Sequence, residues 1–182
     1  TAAVAAGDAI VIAYATDPNQ DLTITVSDAA GNQYQMAAMA ISQGNGRTFI
    51  YAAYNVAALA SGSAITINQV FRNTEYPVAA RAAVASVFRG LASVGALEQT
   101  NVGSGTSTSP SSGSATTIQA EQLLIGAVGM EGPSGDAAGT WSNSFNAGLR
   151  AGTTGGTDDT NITVSFGYRI VTTAGSYTAA KT

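Results

Sequence analysis

The sequence predicts an all-β domain, a two-sheet antiparallel sandwich of about a dozen strands. Three observations carry that reading. Apolar and polar side chains alternate with a period of two in several stretches, as a strand with one buried face requires. Turn residues punctuate those stretches at intervals of roughly 8–12 residues, the spacing of a sandwich or barrel. Helical spacing occurs in only one segment.

The elements follow in order. Asp8–Thr16 is a strand-sized apolar run. Leu22, Ile24 and Val26 alternate with Thr23, Thr25 and Ser27. Asp28-Ala29-Ala30-Gly31-Asn32 then turns the chain into a strand over Gln33–Ile41. Gln43-Gly44-Asn45-Gly46 makes a hairpin into Arg47–Asn55, because tight hairpins need positive φ and Gly and Asn supply it. Further strands are expected over Ser63–Val70, Val78–Phe88, Leu91–Gln99, Thr116–Ala120, Leu123–Gly129, Thr140–Ala151, Asn161–Val171 and Ser176–Lys181. Val84, Val87, Phe88 and Leu91 sit at helical spacing in an Ala-rich stretch, which propensity alone would make a helix. A strand is the preferred reading there, since a lone helix would need a sheet face to cover.

Residues 1–182 suit a single domain. Gly103–Ser114, GSGTSTSPSSGS, is of low complexity and reads as a long surface loop, because the part after it is small for a separate sandwich.

Composition narrows the function. Charged residues are 10% of the chain, against about 25% in an average soluble domain. Hydroxyls, amides and methyls fill the places of Lys and Glu. Such a surface suits close contact with copies of itself, although secreted β domains are often rich in Thr and Ser anyway. Seven Lys and Arg are scattered through a chain of net charge −4, so there is no basic stripe for nucleic acid. No apolar run approaches the roughly 20 residues of a membrane-spanning helix. The absence of Cys leaves the compartment open. A start at Thr1 fits either a removed targeting segment or a trimmed chain.

The absence of His and Cys removes the usual base and nucleophile pairs and makes zinc and copper sites unattractive. Lys181, the single Lys, is expected at a frayed C-terminus. Glu75, Glu98, Glu121 and Glu131 show no organised carboxylate pair of the kind glycoside hydrolysis needs. Calcium asks only for oxygen ligands. Asp17, Asn19 and Asp21 place them at i, i+2 and i+4, and Asp158 with Asp159 forms a second candidate. Asp28 with Asn32 is a third. Each also reads as ordinary turn chemistry, with Asp or Asn bonding its own backbone.

A sugar platform would show exposed aromatics. Trp141 shares a face with Phe145 if both lie in one strand. Tyr51 and Tyr54 should point to opposite faces, leaving one exposed, and Tyr34 and Tyr76 are undecided.

AAGDAIVIAYATD (Ala5–Asp17), VSDAAGNQYQ (Val26–Gln35), YAAYNVAALASGSAITI (Tyr51–Ile67), GTSTSPSSGSATTIQAEQLLIGAV (Gly105–Val128) and YRIVTTAGSYTA (Tyr168–Ala179) occur in this order. With them the chain resembles the jelly-roll modules, of concanavalin-A-like type, of bacterial exported and cell-surface proteins. The resemblance implies a β-sandwich, an extracellular location and adhesive or architectural work without a catalytic site. Modules of this look continue into one more apolar strand, so a sandwich missing a terminal strand is expected, with an unpaired edge. Strand exchange between copies would cover it, and Thr1, Ala2, Ala3, Val4, Ala5 and Ala6 form a small, apolar segment fit to be exchanged. The expected function is a self-assembling extracellular subunit of a fibre, sheath or surface layer, partnered by itself and with no required cofactor. The alternatives are a carbohydrate-binding or adhesion module directed at cell-surface glycan, and a virion or phage-tail decoration domain.

Overall fold

The structure, a computed structural model, describes residues 2–17, 22–42, 46–71, 80–132, 137–153, 157 and 160–182. These residues form eleven strands: β1 (Ala9–Asp17), β2 (Leu22–Asp28), β3 (Gln35–Ile41), β4 (Arg47–Ala53), β5 (Ile65–Phe71), β6 (Ala80–Phe88), β7 (Ala115–Thr116), β8 (Gln122–Glu131), β9 (Asn146–Gly152), β10 (Ile162–Val171) and β11 (Ser176–Tyr177). All of their pairings are antiparallel. No α-helix occurs among the described residues, and none is therefore long and apolar enough to cross a membrane.

Two sheets carry the core. One has the order β3-β4-β1-β6, the other β8-β10-β9. β1 is the central strand of the first and is buried along its whole length. Its two faces have different neighbours. Val11, Ala13 and Ala15, with Ala52, Ala82 and Val84, pack on Ile162, Val164 and Phe166 of β10. Ile10, Ile12 and Tyr14, with Phe49 and Tyr51, pack beneath Ile24, Val26, Ile65 and Ile67 of the two-stranded ribbon β2–β5. A strand covered on both faces must be apolar throughout, which is why Ala9–Ala15 reads as a continuous run while β2 and β5 alternate. Burying each Ile or Val there contributes about 1.5–3 kcal/mol. Burial also pushes the Tyr14 phenol up to about 12.

The first core cluster joins strands from both sides of Gly103–Ser114. Residues 101–109 are exposed, as expected of a surface loop. Its second half is fastened to the C-terminal segment: Ser112 N–H donates to the Ala179 carbonyl (2.9 Å) and Lys181 N–H to that of Pro110 (3.0 Å).

Glycines set how closely the layers approach. A Cβ at Gly129 of β8 would run into Thr48 Oγ1 of β4 and lie 3.1 Å from Ala15 Cβ of β1, so glycine there lets the two sheets meet. Gly126 and Gly167 are direct partners across β8 and β10, and both lie under the Trp141 indole. Trp141 is held by a bridge to Lys181 and stacks on Phe145 at 5.8 Å. The chain reverses between them through Asn143 and Ser144, both at positive φ, closed by Phe145 N–H to the Ser142 carbonyl at 3.2 Å.

Several expectations change. Val78–Phe88 is a strand over Ala80–Phe88, its Ala residues lying in full register against β1. Leu91–Gln99 forms no strand; Val94 is 84% exposed, and no sheet edge receives the segment. The strand expected from Thr140 begins only at Asn146, because the turn at Asn143-Ser144 intervenes. Trp141 and Phe145 do pack together, through that turn and not through strand alternation. Lys181 is not frayed: it is 3% exposed, it bridges to Trp141, and Ala180 before it bridges to Ser111.

Gly167→Ala places a methyl 2.6 Å from the indole and should cost about 1–3 kcal/mol, as overpacking does. Trp141 is the single Trp, so its displacement should appear as a red-shifted emission, with a lower melting temperature in the same sample.

Candidate functional site

The β2–β3 turn is built around Asp28. Its Oδ1 accepts the Ala30 N–H (2.9 Å) and Asn32 N–H (3.2 Å), while Oδ2 accepts Asn32 Nδ2 (2.9 Å) and the Tyr34 hydroxyl (2.7 Å). Asn32 also reaches a second loop, donating to the Ala57 carbonyl and accepting its N–H at 2.7 Å. Partial burial pushes the Asp28 carboxyl up, but the four hydrogen bonds from Tyr34, Asn32 and Ala30 outweigh it and hold the group below its ordinary range. With both oxygens engaged by protein donors, Asp28 and Asn32 form an Asx turn that ties two loops.

Asp17 ends β1 and is 1% exposed. Asn19, Asp21, Asp158 and Asp159 lie outside the described residues, as do Thr1, Glu75 and Tyr76. Among the described residues no group of three or more His, Cys, Asp or Glu side chains converges to hold a metal.

The aromatic side chains whose burial is described are buried or half-buried. Tyr51 is buried, and Tyr54, on the other face, packs half-buried against the first core cluster. The opposite-face expectation holds, but neither is exposed, because both faces of the four-stranded sheet are covered. Tyr34 and Trp141 are half-buried. None of the aromatic side chains whose burial is described is exposed, so none of these displays a platform for a sugar ring.

The N-terminal segment is seated in its own chain. Val4 is buried and exchanges two hydrogen bonds with Leu59, Val4 N–H to the Leu59 carbonyl at 2.9 Å and Leu59 N–H to the Val4 carbonyl at 3.0 Å. Asp8 Oδ2 accepts the Ala5 N–H at 3.1 Å, and Asp8 Oδ1 lies 3.5 Å from Arg89 Nε. Ala2 and Ala3 are exposed.

A cleft of about 460 Å³ opens beside the sheets. Its walls are β3 and β4, the edge of β8, and the irregular chain around Leu91–Gly105. Glu98 clips this irregular chain to the approach to β8: its Oε1 accepts the Ile118 N–H at 2.6 Å. Beside the clip Leu97 and Ile118 are exposed at 49% and 72%, and Leu97 gives the cleft an apolar lip. Glu98, Glu121 and Glu131 all line the cleft, although they lie far apart in sequence and no motif joins them. Sequence reasoning missed the cleft for that reason.

No protein-family model, no curated protein and no solved structure matches the chain.

Removing the hydroxyl by Tyr34→Phe should cost about 0.5–1.5 kcal/mol at neutral pH, the net worth of a hydrogen bond, read from urea unfolding. Asp28 is a carboxyl held low in the folded state. Its contribution is complete above the ordinary carboxylate range and is lost as pH falls through its folded-state value. Asp28→Asn should therefore flatten that part of the acid limb of a stability–pH curve.

Proposed function

We propose that the chain is a non-catalytic, extracellular structural subunit that associates with copies of itself through exchange of Thr1–Ala6. The carrying observation is the Val4–Leu59 seat. It is a local contact of two backbone bonds and one buried side chain, placed just before β1. An identical seat on another copy would receive the same segment with the same bonds, so exchange costs little beyond opening the hinge. The low charge of the chain supports the reading, since few like charges oppose contact between copies. So do the solvent-facing rows of β2 and β5, where Thr23, Thr25 and Ser27 oppose Val70, Asn68 and Thr66, all exposed. The jelly-roll resemblance adds the fibre, sheath or surface layer as the setting.

An adhesion module of a larger secreted protein is the second reading, favoured by the cleft and its apolar lip. A glycan-binding version has less support, because the described aromatics are packed inside.

The seat gives its own test. Val4 and Leu59 exchange both hydrogen bonds, a geometry about 5.5 Å between Cα atoms that a disulfide can bridge, and the chain has no Cys of its own. Oxidised Val4→Cys/Leu59→Cys protein at high concentration should run as covalent multimers on a non-reducing gel, insensitive to added salt. A product of internally bridged monomers alone would end the exchange model.

Calcium at Asp17, Asn19 and Asp21, or at Asp158 and Asp159, belongs to the same proposal as a stiffener of loops. Adding calcium to chelator-treated protein should raise the melting temperature, and Asp17→Asn or Asp158→Asn should remove the rise. An unchanged melt with calcium would reduce both to turns.

A further inference from the structure

A four-stranded sheet stacked on a three-stranded one leaves one strand without a partner opposite. β4 lies over β8, β1 over β10, and β6 over β9 and β10. β3 continues past them as the outer strand of its sheet, with no strand of the second sheet packed closely on it. The cleft occupies that place.

β8 is an end strand, paired with β10 on one side alone. Among the described residues, Leu123–Met130 make no backbone hydrogen bond outside that pairing. Yet these residues are half-buried or buried, where backbone groups need partners. Every residue from Leu123 to Gly129 lines the cleft. Side chains of a strand alternate between faces, so an unbroken run meets one cavity along the strand's edge. The free edge of β8 therefore faces the cleft.

The walls restrict what can enter. Ala38, Ala40, Ala96 and Ala127 contribute methyls, leaving room for small side chains. The charge is one-sided, with Glu98, Glu121 and Glu131 against Arg47 among the described lining residues. Glu98 Oε2 is buried without a donor among the described residues.

We propose that the cleft is a strand-acceptor groove for an extended peptide of another protein, with small apolar side chains and a basic residue, which adds a fourth strand along β8 opposite β3. Main-chain pairing supplies the binding, and the groove with its carboxylates supplies the choice of sequence. Thr1–Ala6 carries no basic side chain and suits the acidic groove poorly, so the partner differs from the copy that exchanges this segment.

The probe is the blocked peptide Lys-Val-Ala-Val-Thr-Ala-Lys, titrated into the isotope-labelled full chain. The amides of Leu123–Gly129 should shift, and their hydrogen exchange should slow. Alternate N-methylation of the peptide should abolish binding, because it removes the strand donors. Glu98→Gln keeps an acceptor for the Ile118 N–H and should preserve the melt while weakening binding about 1.5- to fivefold, the scale of a partly exposed charge pair. The proposal is overturned if the peptide fails to bind at millimolar concentration, if the N-methylated form binds equally, or if shifts fall away from β8. It is overturned too if the Glu-for-Lys peptide binds as tightly, or if the chain's own Thr-Ala-Ala-Val-Ala-Ala sequence outcompetes the basic probe, which would assign the groove to self-association.

Discussion

Hydrophobic burial of β1 on both faces is the constraint around which the molecule is arranged. A strand without a solvent face must be covered twice, so one sheet packed on another cannot suffice. The second cover is the β2–β5 ribbon over Ile10, Ile12 and Tyr14. Its alternating pattern follows, since its inner side chains meet the core and its outer ones meet solvent. The far face of the second sheet receives Trp141, seated on Gly126 and Gly167, and the C-terminal segment that bridges to it. The four-stranded and three-stranded sheets thus become a stack with thinner material outside each.

Close approach comes from small residues. Ala13, Ala15, Ala52 and Ala82 lie between the sheets, and Gly129 admits Thr48. High Ala and Gly content is therefore a packing requirement as well as a surface property. The same preference for small side chains shapes the cleft, where β3 overhangs a sheet one strand narrower than its own.

Much of the fold was legible in the residues. Alternation located β2, β5 and β10, and Asp28–Asn32 announced a turn through side chains that bond their own backbone. β6 was legible only with the help of its neighbours, because its Ala residues suit a helix until β1 offers them a flat partner. Leu91–Gln99 misled, since its composition resembles a strand and nothing local says that no edge will receive it. The opposite faces of Tyr51 and Tyr54 followed from strand geometry, but their common burial did not, because a second covering layer leaves no mark on β4. The cleft was illegible for a related reason. Glu98, Glu121 and Glu131 come to line one cleft through long-range strand order, which no spacing records. Asn19, Asp21, Asp158 and Asp159 fall outside the described residues, so their turn and calcium readings both stand as sequence expectations.

The double covering of β1 has a consequence for the history of each molecule. β1 leaves the ribosome among the first residues of this sequence, yet one of its faces is closed by β10, whose first residue is Ile162. Contacts so distant in sequence form slowly. Until β10 arrives, Val11, Ala13 and Ala15 have no lasting cover, the state in which chains aggregate. A truncated product ending before Ile162 would keep that face open indefinitely. Quality control acting on this protein therefore has a defined window, from the appearance of β1 to the docking of β10, in which holding the chain matters most.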